Sequence, residues 1–159
     1  MPTIDPRDRD ITVIVKAKDL YNETDYPPTE AQMDNNTSLL EDGGLGNDFG
    51  NPNKNFETIV FMNKRVCWTI TLNDPLGVDK GYTIALVEVF HNPTEGNPNF
   101  FNTDPLTVNR GTGKVCGTIA RSPLLPDMDD SYTIQFTVHD GTTTKTYNLD
   151  PKLRVKSTT

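Results

Sequence analysis

Residues 132–138 read Tyr132-Thr133-Ile134-Gln135-Phe136-Thr137-Val138, with a large apolar side chain at every second position. A period of two marks a strand with one buried face, because successive side chains point to opposite sides of a sheet. Asp140-Gly141 follows as a hairpin signal, and the chain returns over 144–149 with Tyr147 and Leu149 in phase. After the Asp150-Pro151 break, residues 153–155 form a last short strand. The same reading places strands over 11–16, 58–61, 65–72 and 115–120. Residues 82–90 carry apolar side chains in both phases (Ile84 and Leu86 against Ala85, Val87 and Val89), which predicts a central strand. About eight short strands separated by turn signals predict an all-β fold, a single antiparallel β-sandwich with long polar loops. The one helical candidate is 30–40, weakened by Asn35-Asn36.

Composition agrees with strands. The 159 residues hold 22 Thr, 15 Asn and 12 Pro, and Pro spread along the chain breaks long helices. The length predicts one domain over 1–159, with an N-terminal arm at 1–10 and long polar loops at 41–55 and 91–112. A net charge of −7 with scattered Lys and Arg argues against a nucleic-acid surface. No stretch is apolar enough to cross a membrane as a helix, and the first ten residues lack the apolar core of a signal peptide, so a cytoplasmic location is expected.

Few residues suggest chemistry. Cys67 and Cys116 sit in an echo, Arg65-Val66-Cys67-Trp68-Thr69-Ile70 against Lys114-Val115-Cys116-Gly117-Thr118-Ile119. It reads either as a duplicated unit with one copy in each half of a sandwich or, the favoured reading, as a chance match between strands that share a small Val/Thr/Ile alphabet. Two Cys without a nearby His cannot hold zinc, and reduced core thiols are the favoured reading. The thiols come within disulfide range only if their strands are neighbours. His91 and His139 have no nucleophile at a recognisable spacing, and no catalytic motif appears, so no enzyme activity and no cofactor are expected. Asp127, Asp129 and Asp130 read as a solvated acidic turn rather than a calcium site. Trp68 is in phase with Val66 and Ile70 and reads as core. The loop around Asn97, Asn99, Phe101 and Asp104 combines amide, carboxylate and aromatic groups, the set that contacts sugar hydroxyls and C–H faces, and is the candidate carbohydrate site. Against this stands the reading in which Phe100 and Phe101 anchor the loop to the core.

The ordered elements resemble a known family. A strand at Ile11-Thr12-Val13-Ile14-Val15 leads into a long polar segment, then Val66-Cys67-Trp68, and the chain closes on Tyr147-Asn148-Leu149-Asp150-Pro151-Lys152-Leu153-Arg154-Val155. This layout is similar to the bacterial AidA/PixA inclusion-body proteins, with a V-x-W strand in the middle and an aromatic-x-x-D-P-x-[IL]-x-V strand at the end. Residues 91–112 fall outside the likeness, and Asn63-Lys64 stand where members often have glycine before the V-x-W strand. The resemblance implies a β-sandwich without established catalysis that accumulates in bacterial cells, in some cases as inclusions. A sugar-binding role has been proposed for members, and no catalytic residue carries over. The expected function is therefore a non-enzymatic protein that associates with itself through sandwich edge strands. A lectin-like module with a glycan partner is the alternative.

Overall fold

The structure is a computed structural model, described for residues 7–44, 46–92, 98–101, 103–122 and 125–156. Strand β1 (Arg9–Val15) is followed by a short helix α1 (Ala17–Tyr21), helix α2 (Glu30–Asn36), and strands β2 (Thr37–Glu41) and β3 (Gly46–Asn47). A 3-10 turn at Asn53–Asn55 precedes β4 (Glu57–Val60), β5 (Arg65–Leu72) and β6 (Thr83–His91). The chain ends with β7 (Leu106–Thr107), β8 (Val115–Thr118), β9 (Asp129–His139), β10 (Thr144–Leu149) and β11 (Lys152–Val155).

The strands form a five-stranded sheet in the order β3-β2-β1-β5-β8 and a six-stranded sheet in the order β4-β11-β9-β6-β7, with β10 also on β9. The sheets are mixed rather than purely antiparallel, because β1 runs parallel to β5 and β11 parallel to β4. All eight expected strands are present. β2, β3 and β7 were not foreseen, and the N-terminal strand begins at Arg9, inside the expected arm.

The helix expected over 30–40 stops at Asn36. Thr29 Oγ1 accepts from Gln32 N while Gln32 Oε1 accepts from Thr29 N, a reciprocal cap that starts α2. Its end is tied by Thr37 Oγ1, which donates to Met33 O at 2.6 Å, and by Lys16 N, which donates to Asn36 O at 2.9 Å. Thr37 through Glu41 then pair with β1, so Leu39 lies on a strand beside Val13.

Alternate residues of the two sheets share one core. Ile11, Val13 and Val15 of β1 and Tyr132, Ile134, Phe136 and Val138 of β9 are each fully buried. Trp68 on β5 joins the sheets, donating from Nε1 to Tyr132 Oη on β9 at 3.1 Å with ring centroids 5.5 Å apart.

β6 explains its own double-phase pattern. Its register against β9 shifts between Leu86 and Glu88, a β-bulge, so Ile84 and Leu86 before it and Val89 after it pair with the core-facing residues Val138, Phe136 and Ile134. The same shift puts His91 beside Tyr132, on the core side of the sheet.

The echoed segments are neighbours in one sheet, not one in each. β5 and β8 pair antiparallel with Cys67 opposite Cys116, and the residues are joined as a disulfide rather than held as free thiols. Gly117 faces Val66 on the core side of that pair; a Cβ there would stand 2.5 Å from Leu106 and 2.9 Å from Phe101, so the missing side chain makes room for both.

Candidate functional site

The long loop after β6 meets β9 at the end of the core, and Asp130 is the residue that fastens it. Asp130 is two residues before Tyr132, in phase with it, and fully buried. Its Oδ1 lies 2.7 Å from His91 Nδ1 and its Oδ2 accepts from Phe100 N at 3.2 Å. His91 N donates to Asp104 Oδ1 at 2.9 Å, which ties the far end of the loop to the same point. Burial pushes the Asp130 carboxyl up from its ordinary value, the bonds from His91 and Phe100 oppose that shift, and Asp104 adds a smaller push upward. The acidic turn of the sequence reading is thus not uniformly solvated. Asp129 and Glu57 also form a pair: burial and the neighbouring Asp129 raise the Glu57 carboxyl, against the opposing charges of Arg154 and Lys152.

The candidate sugar residues occupy this loop. Asn97 lies outside the described residues. Asn99 Oδ1 accepts from Phe101 N at 3.0 Å, and Asp104 is bonded to His91 as above. Phe101 is 5% exposed and packs edge-on against Trp68 at 5.8 Å, while Phe100 is fully buried. The Phe100 and Phe101 rings are therefore turned into the core, while Asn99 Oδ1 bonds the loop's own backbone and Asp104 Oδ1 bonds the end of β6. His91, Asp104 and Asp130 are brought together; Asn99 and Phe101 hold the loop's shape. The sequence reading missed the His91–Asp130 pair, although extending the β9 alternation back two residues places Asp130 on the buried face.

A His–Asp pair can orient an imidazole for proton transfer to a side chain, a water or a substrate at its other nitrogen. Among the described residues the His91 ring bonds to Asp130 alone. What the bonds do in the structure is tie the two ends of the loop to β9 and β6. His139, at the opposite end of β9, shares a hydrogen bond with Thr144 Oγ1 at 2.9 Å.

A polar cleft of about 610 Å³ opens where α2 and the 3-10 turn face the junction of β10 and β11. Asn53, Lys54, Asn92, Ser131, Asn148 and Asp150 are among its lining residues. Pro151 interrupts the strand there: it has no N–H to give, its carbonyl accepts from Tyr132 N at 3.2 Å, and Asp150 Oδ1 accepts from Thr133 Oγ1 at 3.0 Å. Asp34 Oδ1 accepts both Asn53 N and Asn53 Nδ2, fixing the cleft wall. Among the described residues no group of three or more His, Cys, Asp and Glu side chains is placed to hold a metal ion. No helix is long and apolar enough to cross a membrane, among the described residues.

No protein-family model matches the sequence, and no curated protein matches it at a significant level. Among solved structures the chain is similar to an inclusion body protein, PixA, from Burkholderia cenocepacia. The TM-score is 0.61 and the identity 10%, over 96% of this chain and 97% of that one. The likeness is one of fold, and it extends over nearly the whole of both chains.

Proposed function

We propose that this protein is a non-enzymatic β-sandwich that accumulates to high concentration and associates with itself, in the manner of an inclusion-body protein. The observation that carries the reading is a likeness of fold to the Burkholderia cenocepacia inclusion body protein, with a TM-score of 0.61 over nearly the whole of both chains. The two sheets sharing one core, joined by Trp68 and Tyr132, support the sandwich arrangement.

The route of association follows from the strand edges. Tyr26 Oη bonds both Thr146 N and Thr146 O on β10, and Arg9 Nε donates to Ile59 O on β4 at 2.9 Å. Phe101 bridges Ile119 and Val108 bridges Val115 alongside β8, while β3 and β7 are two residues each. Short or covered edges oppose strand-to-strand pairing between copies. Contact between molecules therefore runs through side chains. Leu76, 91% exposed, and Val78, 56% exposed, stand on the β5–β6 loop. That loop is anchored by fully buried Asp79, which accepts from Lys18 N and Asp74 N, each at 3.0 Å.

Fractionation of expressing cells tests the proposal. Dense particles should form that release folded protein on dilution, with the blue-shifted emission of buried Trp68. Protein dispersed as a monomer at every expression level would overturn it.

A further inference from the structure

The Cys67–Cys116 bond lies on the face of its sheet opposite the core, since Val66 and Trp68, the neighbours of Cys67, both point inward. The two sulfurs differ in access. Cys67 is 5% exposed on a strand flanked by β1 and β8, whereas Cys116 is half-buried on β8. Both lie under one guanidinium: Arg65 Nε donates to Cys67 Sγ at 3.1 Å and Arg65 Nη2 to Cys116 Sγ at 3.6 Å.

A groove of about 630 Å³ spans β8 between Arg65 at the start of β5 and the 107–109 segment, where Val108 bridges Val115, and it reaches Cys116. Its lining includes Arg65, Thr107, Asn109, Thr112 and Lys114. Both cations are exposed, and among the described residues neither forms an ion pair. Asp8 accepts from the backbone N–H of Arg65, not from its guanidinium. The protein carries a net charge of −7, so a cationic groove lined with amide and hydroxyl groups beside a disulfide is a local exception.

We propose that Cys67–Cys116 is a thiol-exchange site, at which a small thiol bearing carboxylates docks in the Arg65–Lys114 groove and forms a mixed disulfide with Cys116. Cys116 lines the groove and Cys67 does not, so a thiolate docked there meets Cys116 Sγ first. The incoming sulfur bonds to Cys116 Sγ, the Cys116–Cys67 bond breaks, and its electron pair leaves on Cys67 Sγ. That thiolate keeps the hydrogen bond from Arg65 Nε, which favours it as the leaving group. A second thiolate then attacks the ligand's sulfur in the mixed disulfide. It takes the ligand away as its own symmetric disulfide and leaves Cys67 and Cys116 reduced. The attacking thiol is the reductant throughout, and thiols of this class keep cytosolic disulfides open.

The test uses the intact oxidised protein and three probes of different charge: glutathione, 2-mercaptoethanol and cysteamine, compared at equal thiolate concentration. Intact mass gives the rate of adduct formation and peptide mapping gives the site. The adduct should map to Cys116. Glutathione should react roughly 3- to 10-fold faster than cysteamine despite the negative protein, with the advantage shrinking as salt is raised. Arg65→Gln, at an exposed position, should slow glutathione most and so narrow its advantage over cysteamine. An adduct on Cys67, or cysteamine reacting as fast as or faster than glutathione, would overturn the assignment.

Discussion

Tyr147 places a hydroxyl where water does not reach. Its ring stacks on Phe136 with centroids 5.5 Å apart and meets Tyr26 edge-on, the residue is 3% exposed, and its oxygen has no hydrogen-bond partner among the described residues. Burial and the neighbouring Tyr26 and Tyr21 drive its ionisation well above the ordinary tyrosine range. A buried unpaired hydroxyl costs desolvation and returns nothing, so Tyr147→Phe should leave stability unchanged or raise it by about 1 kcal/mol, read from the denaturant midpoint. A marked loss would mean that the hydroxyl is bonded after all. Asp130 makes a pH prediction. Its carboxyl is raised in the folded state by burial, from an ordinary value of 3.8, so folding favours the protonated form. Its contribution to stability is complete below that ordinary value and is lost as pH rises through the higher folded value. Asp130→Asn, which retains an acceptor for Phe100 N, should flatten this part of the curve. Glu57, raised in the same direction, keeps some slope. Unfolding free energies measured across the acid range decide the matter: identical slopes in both proteins would contradict it.

At the level of strands and turns, Tyr26 is the residue that keeps β10 from presenting a free edge. Tyr26→Phe removes both bonds to Thr146, and amide exchange at Thr146 should speed up while exchange in β9 stays slow. Unchanged protection at Thr146 would show that the ring alone, not the hydroxyl, shields the edge. β9 is legible in the sequence because its large apolar side chains at Tyr132, Ile134, Phe136 and Val138 recur at every second position and are all buried. β2 is not, because Leu39 and Leu40 lie directly after a capped helix and continue its apolar spacing. β6 is legible as a strand, but its bulge converts one buried face into an apparent pair of faces. That hides His91 on the core side and, with it, the partner of Asp130. The parallel pairing of β1 with β5 depends on contacts between segments more than fifty residues apart, which local patterning does not encode. The disulfide was hidden for the same reason: the echo around Cys67 and Cys116 is visible, but the adjacency that makes them partners belongs to sheet order.

For the molecule as a whole, the proposed self-association places contacts at the exposed Leu76 and Val78 on their anchored loop rather than at strand edges, where Tyr26 and Arg9 bond Thr146 and Ile59. A net charge of −7 resists nonspecific clumping, so association should be ordered and sensitive to salt. Light scattering after size-exclusion chromatography, across rising concentration, measures this directly. The native mass should move from the 17.7 kDa chain to multiples of it, and Leu76→Asp should return it toward the single chain. A constant mass of one chain for the unaltered protein at every concentration would contradict the account.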